Sequence, residues 1–359
     1  MRILIDATPV LLRSAGVKTY IYHWIQHLWH YAGNEQVLTF PPLNKLAALN
    51  HEGSMAGPAR TFSQLGLVYL SNLQSNLPLL NWTTPKIDVF HASNMVRNPP
   101  RKAKVTATIH DLTTKLMPEL HTPANIQADQ GFADKVLKRA HGVIAVSENT
   151  RQDAIRLLGL DPAKVHAIHS GVPEVYFGAQ PRPSDRPYVF FLGTIEPRKN
   201  LDTLLDAWQN TRLRDDFDLV IAGASGWGSE KTLARLRSRP PGVRYLGYVP
   251  EDELPGITAG ATAFIYPSLY EGFGFPVAQA MAAAVPVITS NTSCLPEVAG
   301  DAALLVDPRS AAEIQGAIEK LLTSPALQQQ LRAAAIAKAR DYRWEVCARK
   351  SLEFFRALE

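Results

Sequence analysis

The stretch AFIYPSLYEGFGFPVAQAMAAAVPVIT, residues 263–289, contains a complete strand–turn–helix–strand pattern. Its first four residues, Ala263 to Tyr266, form an apolar run that predicts a buried strand. A turn with two glycines follows, and Pro276 stands where proline is favoured, at the first position of a helix. A second apolar run, from Val285 to Thr289, predicts the next strand. Strands and helices that alternate in this way are typical of a parallel sheet in an α/β protein.

The turn between this strand and its helix predicts an anion site, because backbone N–H groups and the positive end of the helix dipole point into it. Gly272 and Gly274 let the backbone approach a phosphate without an intervening Cβ. Glu271 would repel a bare phosphate, but it suits the hydroxyl edge of a sugar attached to one. Gln279, on the helix, places an amide where it can bind a ribose hydroxyl. An ordinary tight turn is the alternative, since a lone Gly-x-Gly is a weak signal.

A second informative stretch is Phe191-Leu-Gly-Thr-Ile-Glu-Pro-Arg-Lys-Asn200. Gly193 ends a predicted strand, and Arg198 and Lys199 precede a predicted helix. Open α/β sheets bind ligands at the carboxyl ends of their strands. Two cations at this position can neutralise a diphosphate leaving group without a metal. The alternative is a solvated pair of surface cations.

The pair His110-Asp111 ends a strand predicted from Lys104 to Ile109. It can be part of a metal site, but no third ligand stands at a recognisable spacing. A structural role at the strand end is the other alternative. We find no Ser-His-Asp pattern, no setting for a nucleophilic cysteine and no carboxylate pair at the spacing of a glycosidase.

Several of these motifs together resemble retaining glycosyltransferase family 4. The resemblance rests on Glu-Gly-Phe-Gly-Phe-Pro at 271–276, on Ala-Met-Ala-Ala-Ala-Val-Pro-Val-Ile at 280–288 and on Gly-Thr-Ile-Glu-Pro-Arg-Lys-Asn at 193–200. It implies the GT-B fold, in which two Rossmann-like parallel-sheet domains face each other across a cleft. The expected domains are an N-terminal acceptor-side domain at 1–172 and a nucleotide-sugar-binding domain at 173–344. The last helix, 345–359, is expected to cross back onto the first domain.

The resemblance also implies roles for individual residues. The implied catalytic residues are His110, Arg198, Lys199 and Glu271. The implied donor-binding residues are Gly16, Gly193, Thr194, Tyr248, Val249, Gly272, Phe273, Gly274 and Gln279. Tyr248 and Val249 would contact the nucleobase, and the family pattern normally has a second Glu at the position of Gln279. Neither a metal site nor a cofactor other than the donor substrate is expected.

Composition limits the class of protein. The 359 residues, 46% hydrophobic and 19% charged, are typical of a globular chain of about two domains. No apolar run is long enough to span a membrane, and the N-terminus lacks the pattern of a signal peptide, so a cytoplasmic location is expected. Two distant cysteines give no disulfide or zinc framework. The net charge of +4 is compatible with peripheral association with anionic lipid at the inner membrane face. No basic run with interleaved aromatic residues indicates nucleic-acid binding.

Three segments of the first half carry further predictions. Val17 to Tyr31 is expected to be a helix with Tyr20, Trp24 and Leu28 on one buried face. Gly16, just before it, is expected to make a second phosphate-accessible turn, to which Lys18 adds a charge. Phe40 to Gly66 is expected to be mostly loop, and Lys115 to Ala140 largely helical.

The function expected from this resemblance is retaining, metal-independent transfer of a hexose to a glycan or lipid-linked glycan acceptor. The motifs look most like bacterial mannosyltransferases of surface-polysaccharide biosynthesis. GDP-mannose is therefore the first expected donor, and UDP-glucose or another UDP-sugar the second. A nucleotide-sugar-binding protein without turnover is an alternative, because of Gln279. A dinucleotide-dependent oxidoreductase is disfavoured, since no Gly-x-Gly-x-x-Gly follows the first strand.

Overall fold

The computed structural model describes residues 1–12, 16–43, 46, 49, 51, 53–73 and 79–358. The chain divides into two compact units. The first unit joins Met1–Gly171 to Trp344–Glu359, and the second unit is Val172–Arg343. Each boundary lies one residue from the position expected from the sequence.

The first unit contains a parallel sheet of six strands. These strands are β1 (Arg2–Asp6), β2 (Gln36–Phe40), β3 (Val89–Ala92), β4 (Lys104–Ile109), β5 (Gly142–Ala145) and β6 (Val165–Ala167). Their order in the sheet is β2–β1–β3–β4–β5–β6, and every neighbouring pair is parallel. The helices of the unit are α1 (Gly16–Tyr31), α2 (Pro58–Leu73), α3 (Leu79–Thr83), α4 (Thr113–Leu116), α5 (Pro123–Lys135), α6 (Glu148–Leu158) and the C-terminal α14 (Trp344–Arg356).

Helix α1 has the buried face that its sequence predicts. Tyr20, Trp24 and Leu28 have no exposed surface, and their i, i+4, i+8 spacing places them on one side of the helix. Helix α14 packs against this helix, and Trp24 Nε1 donates a hydrogen bond of 2.9 Å to Ser351 Oγ. The indole nitrogen is therefore satisfied in the core of the unit.

One prediction for the first unit was wrong in part, and a second is confirmed with an interruption. The segment from Phe40 to Gly66, expected to be mostly loop, contains the start of α2. Pro58 is compatible with the first turn of a helix, and Gly66 inside the helix costs only about 1 kcal/mol. Residues 44–45, 47–48, 50 and 52 of that segment lie outside the described residues. The segment expected to be largely helical from Lys115 is interrupted between α4 and α5, where Pro118 and Pro123 each begin a new helical turn.

The second unit repeats the plan of the first. Its strands are β7 (Tyr188–Leu192), β8 (Asp218–Ala222), β9 (Val243–Gly247), β10 (Ala263–Tyr266), β11 (Val287–Ser290) and β12 (Ala303–Val306). They form a parallel sheet in the order β12–β11–β10–β7–β8–β9. The helices are α7 (Leu201–Asn210), α8 (Glu230–Arg237), α9 (Leu254–Ala259), α10 (Phe275–Ala282), α11 (Leu295–Ala299), α12 (Ala311–Leu322) and α13 (Pro325–Ala339).

The strand order of this second sheet reverses between β7 and β10. From β7 the chain continues through α7 to β8 on one side, whereas β10 pairs with β7 on the other side. Open α/β sheets bind ligands at such a switch point, outside the carboxyl ends of the strands. No helix in the described part of the chain is both long enough and apolar enough to cross a membrane.

Candidate active site

The loops that follow β7 and β10 are joined at this switch point. The carbonyl oxygen of Arg198 accepts a hydrogen bond of 2.9 Å from the Leu269 amide. This bond attaches the turn after β7 to the loop after β10. The two motifs that the sequence separates by about 70 positions therefore form one site at the end of the sheet.

Asn200 holds the turn after β7 in place. Its backbone has φ of 59°, the left-handed region in which Asn is tolerated better than most residues. The side-chain amide donates to the carbonyl oxygens of Pro267 at 3.1 Å and Pro308 at 2.6 Å. One residue thus ends the turn of Arg198 and Lys199, begins α7 and binds the segments that follow β10 and β12.

A buried ion cluster occupies the centre of the site. Lys199 Nζ lies 2.6 Å from Glu271 Oε1, and Arg198 Nη1 lies 2.9 Å from Glu271 Oε2. The same guanidinium pairs with Glu196 at 2.7 Å and donates to the Tyr270 carbonyl oxygen at 2.6 Å. Each cation is thereby fixed in one orientation, and the charges of the two cations are balanced by two carboxylates.

The Glu271 carboxylate is held ionised by these neighbours. Only 7% of the residue is exposed, and burial alone would raise the pKa of its carboxyl group. Arg198 and Lys199 overcome that effect and lower this pKa to about 2. Ser268 and Tyr266 also donate their hydroxyl protons to Glu271 Oε1, at 2.7 and 3.0 Å. Burial raises the pKa of Tyr266 well above its ordinary value, so this hydroxyl stays protonated as a donor.

The cluster corrects two expectations for these residues. Lys199 is buried, so the picture of two solvated surface cations is wrong for it. The presence of Glu271 next to an anion site does not require a sugar hydroxyl as its explanation, because its carboxylate binds both neighbouring cations.

Glycines allow the loops at this end of the sheet to approach each other closely. Gly223, after β8, has φ of 151°, and a Cβ there would lie 1.9 Å from the carbonyl oxygen of Gly193. A Cβ on Gly226 would lie 2.5 Å from the Thr194 side chain. Gly193 and Thr194 therefore stand against a second glycine loop.

The turn after β10 has the predicted helix at its end. Gly274 has φ of 84° and caps α10, which carries Pro276 in its first turn and the half-buried Gln279 in its second. Gly272 and Phe273 are buried. The Phe273 ring packs edge-to-face against Phe275 and Tyr342, at centroid distances of 5.3 and 5.4 Å. Its side chain belongs to the core, which leaves only its backbone for contact with a ligand.

Tyr248 and Val249 line a cavity of the second unit that is separate from the cluster of Arg198, Lys199 and Glu271. They follow β9, whose last residue, Gly247, accepts a 2.7 Å hydrogen bond from the Gly223 amide through its carbonyl oxygen. The cavity measures about 430 Å³, and Arg182, Arg244 and Glu253 also line it. Half of the Tyr248 surface is exposed.

His110 lies in the first unit, in a cavity of about 450 Å³ at the carboxyl end of β4. Asp111, Arg97 and His121 also line this cavity. Desolvation lowers the pKa of His110 to about 4, although the Asp111 carboxylate opposes the shift. The imidazole is therefore neutral at pH 7, and each ring nitrogen has one role, as donor or as acceptor.

Lys18 does not supply the charge that was expected near Gly16. Its side chain is fully buried, and Nζ donates to the carbonyl oxygens of Leu12 at 2.8 Å and Gly53 at 2.6 Å. Gly16 is exposed at the start of α1, but residues 13–15, which form the rest of that turn, lie outside the described residues. Among the described residues, no three His, Cys, Asp or Glu side chains form a group that could hold a metal ion.

Comparison with known proteins identifies the family. A family model described as Glycosyltransferase Family 4 matches residues 14–176, and one described as Glycosyl transferases group 1 matches residues 174–340. O-antigen chain mannosyltransferase B of Escherichia coli is 31% identical over 286 residues, which cover 75% of this chain and 74% of that protein. The chain belongs to glycosyltransferase family 4.

Solved structures agree with the fold of this family 4 glycosyltransferase. Sucrose-phosphate synthase of Thermosynechococcus elongatus superposes with a TM-score of 0.73 at 18% identity, over 100% of this chain and 99% of the other. HepE of Anabaena, in complex with UDP-glucose, superposes with a TM-score of 0.71 at 16% identity, over 99% and 100%. The fold is therefore GT-B, and the chain is an enzyme of the glycosyltransferase class.

Sequence reasoning missed part of the site of this glycosyltransferase. The motifs contain three further residues of the site whose roles the sequence did not predict: Asn200, Tyr266 and Ser268. A signal existed only for Asn200, because Asn tolerates a left-handed backbone at the start of a helix. Nothing local indicates that Tyr266 and Ser268 donate to Glu271, since both hydroxyls reach it only through the shape of the loop.

Proposed function

We propose that this glycosyltransferase moves a hexose from a nucleotide sugar to a glycan or lipid-linked glycan, with retention of configuration and without a metal ion. The observation that carries the proposal is the cluster of Arg198, Lys199 and Glu271 at the switch point of the second sheet. It lies at the end of β7 and β10, beside the first turn of α10. Cations and a helix N-terminus together suit a diphosphate.

The second unit is assigned to the donor. The guanidinium of Arg198 and the ammonium of Lys199 are fixed before substrate arrives, so their charges need little rearrangement when negative charge develops on the leaving group. Glu271 holds both cations and is also assigned to a hydrogen bond with a donor-sugar hydroxyl. Gly193, Thr194, Gly272 and Gly274 are assigned to the phosphates and Gln279 to the ribose. Tyr248 and Val249 are assigned to the base.

The proposed transfer takes place without a covalent bond between the sugar and the enzyme. The bond from the anomeric carbon to the diphosphate oxygen breaks, and the acceptor oxygen bonds to that carbon on the same face. The acceptor proton passes to an oxygen of the departing diphosphate, which becomes the base. His110, neutral at pH 7, is assigned to a hydrogen bond with the donor sugar or its phosphate.

GDP-mannose is the donor proposed first. The support is the likeness to a protein named as an O-antigen mannosyltransferase, which also suggests a surface-polysaccharide acceptor. A UDP-sugar is the second candidate, because HepE, similar in fold, was solved with UDP-glucose.

The deciding experiment measures transfer of radiolabelled sugar from GDP-mannose and from UDP-glucose, after thermal-shift ranking of both donors. We expect GDP-mannose to raise the melting temperature more and to be turned over in the presence of EDTA. Loss of activity in EDTA that Mg²⁺ or Mn²⁺ restores would contradict the metal-independent mechanism. A donor that binds tightly and is never turned over would favour the alternative of a binding protein.

Gln279 gives a sharper test of the donor site. If its amide binds a ribose hydroxyl, Gln279→Glu creates a charge-assisted hydrogen bond, stronger by about 1 kcal/mol than the neutral one. Donor affinity measured by calorimetry is then expected to rise several-fold, with little change in the melting temperature of the free protein. Equal donor affinity in wild type, Gln279→Glu and Gln279→Ala would show that this side chain does not touch the nucleotide.

A further inference from the structure

The loop between β8 and α8 carries an exposed tryptophan. In this loop, residues 223–229, Trp227 lies between Gly226 and Gly228. Trp227 is 51% exposed, and in the described part of the chain no other ring and no cation packs on its indole. A single exposed aromatic residue is ordinary on a protein surface. What distinguishes Trp227 is the way its backbone is held and the residues beside which it is held.

Hydrogen bonds attach the Trp227 loop to the turn that follows β7. The Gly226 amide donates to the Ile195 carbonyl oxygen, and the Ile195 amide donates to the Ala224 carbonyl oxygen, both at 2.9 Å. The Ser229 hydroxyl donates a 2.7 Å hydrogen bond to the Gly226 carbonyl oxygen and closes the loop on itself. The backbone around Trp227 is therefore fixed without any ligand.

The glycines on either side of Trp227 contact the turn that is assigned to the diphosphate. A Cβ on Gly226 would lie 2.5 Å from the Thr194 side chain, and a Cβ on Gly228 would lie 3.1 Å from the Pro197 ring. A larger residue at either position would push the loop away from this turn. The indole therefore starts from a backbone position next to the phosphate-binding turn.

The Trp227 loop also lies between the phosphate-binding turn and the residues assigned to the base. Strand β8 pairs with β7 on one side and with β9 on the other, and the Gly223 amide donates a 2.7 Å hydrogen bond to the carbonyl oxygen of Gly247, the residue before Tyr248. Neighbouring strands lie about 4.8 Å apart, so the ends of β7 and β9 are separated by about 10 Å. A nucleoside diphosphate that reaches from Arg198 to Tyr248 therefore passes the end of β8, where Trp227 begins its loop.

We propose that the indole of Trp227 stacks on the nucleobase of the donor and favours a purine over a pyrimidine. Every base has a flat π-face that an aromatic side chain can bind without hydrogen bonds. A purine has two fused rings, so it buries more surface against the indole than a pyrimidine does. An acceptor glycan is disfavoured as the partner, because Trp227 lies between the residues assigned to the phosphates and those assigned to the base. The inference rests on the proposed function, since it takes the second unit as the donor-binding unit.

The test is calorimetric titration of the full chain with GDP, UDP and inorganic pyrophosphate. We expect Trp227→Ala to weaken GDP binding by about tenfold or more and UDP binding by less, as when a stacking residue is removed. Pyrophosphate has no base, so its affinity should stay unchanged. Trp227→Phe keeps a ring and should retain most of the GDP affinity. The melting temperatures of both variants should stay near that of wild type, since the side chain is exposed.

Tryptophan fluorescence reports on the contact directly. Stacking of GDP on the indole should quench the emission of the wild type, and Trp227→Phe should lose this quenching at saturating GDP. Trp82→Ala, which removes a 71% exposed indole from α3 of the first unit, is the matched control. It should keep the wild-type GDP affinity and the wild-type quenching.

The outcomes separate this inference from the proposed function. Equal GDP affinity in wild type and Trp227→Ala, or equal quenching in wild type and Trp227→Phe, would overturn the inference alone. Absence of GDP and UDP binding in the wild type would overturn the proposed donor site as well. An equal loss for pyrophosphate would show that the substitution disturbs the phosphate-binding turn, and a greater loss for UDP would overturn the purine preference. Slower transfer with unchanged nucleotide affinity would assign the indole to the acceptor instead.

Discussion

Arg198 and Lys199 are adjacent in sequence but differ in their surroundings. Both pair with the buried Glu271 carboxylate, but the Arg198 side chain is 18% exposed and also pairs with Glu196, whereas the Lys199 side chain is 10% exposed. Both have the charge that a diphosphate leaving group needs, but of the two only Lys199 is buried. Substitutions at the two positions should therefore have different effects on the stability of the protein, even where their effects on activity are similar.

We expect Arg198→Ala and Lys199→Ala each to lower turnover by roughly 10²-fold, as when a transition-state charge donor is removed. Lys199→Ala should also lower the free energy of unfolding by about 1–3 kcal/mol, and by more than Arg198→Ala, because Lys199 is the more buried of the two cations that bind Glu271. Steady-state kinetics and urea unfolding of both variants measure the two effects. Arg235→Ala, which removes a guanidinium on α8, is the control. Near-normal rates in either active-site variant would contradict the diphosphate assignment.

Glu271 makes the stability of the second unit depend on pH. Its pKa is about 2 in the folded protein, against an ordinary value of 4.5. Because the folded-state pKa is lowered, the stabilisation is complete above pH 4.5 and is lost as the pH falls toward 2. The difference between the two pKa values corresponds to about 3 kcal/mol.

We expect Glu271→Gln to be less stable than wild type at neutral pH and to lose less stability on acidification. Melting temperatures of both proteins between neutral pH and about pH 3 would measure this. Glu253→Gln, which removes a largely exposed partner of Arg182, should keep the wild-type pH dependence. The same acid-induced loss in wild type and Glu271→Gln would show that other groups cause it.

At the scale of elements, the site depends on how closely the loops after β7 and β8 approach. Gly223 has no room for a side chain, because its Cβ would overlap the Gly193 carbonyl oxygen. Gly316, inside α12, has no atom within 4 Å of its Cβ position. The two glycines therefore differ in what they contribute: one permits a contact between loops, and the other only weakens a helix.

We expect Gly223→Ala to separate the two loops, to lower the melting temperature and to weaken donor binding by at least tenfold. Gly316→Ala should stabilise the protein by about 0.5–1 kcal/mol and leave donor affinity unchanged. Differential scanning calorimetry and donor titration on both variants provide the measurement. Normal donor affinity in Gly223→Ala would show that the approach of these loops does not shape the donor site.

At the scale of the whole molecule, the last helix belongs to the first unit although the second unit precedes it in sequence. Trp344 packs so closely on Gly171 that a Cβ there would lie 2.3 Å from the indole ring. Further along α14, the Phe354 ring lies 2.8 Å from the Cβ position of Gly142. The first unit is therefore incomplete without α14.

We expect a chain that ends at Arg343 to lose hydrogen-exchange protection in α1 and β5, while β7 and β10 of the second unit keep theirs. The reason is that deletion exposes the faces of α1 and β5 that α14 covers. Hydrogen exchange read by mass spectrometry resolves these segments. Lys350→Ala, which removes an exposed cation of α14, should leave protection unchanged. Unchanged protection in the truncated chain would mean that α14 contributes little to the first unit.

The sequence by itself determined the parallel sheets and the loops that carry the site. The predicted strands Ala263–Tyr266 and Lys104–Ile109 matched the observed strands residue for residue. The first is a continuous apolar run, as a strand buried on both faces requires. The glycine turn before α10 and the buried stripe of α1 were likewise predictable, since they depend on residues within a few positions of each other.

The tertiary structure alone decided what the charged side chains do. Lys199 and Glu271 are 72 positions apart, and only the pairing of β7 with β10 brings them to 2.6 Å. Lys18 was expected near phosphates but donates to two carbonyl groups inside the first unit. Helix α2 has an apolar stripe that local pattern would place inside, yet Val68 and Ser71 face the core instead. A local sequence pattern gives the charge and polarity of each side chain. Which residues surround that side chain depends on contacts between segments that are far apart in sequence.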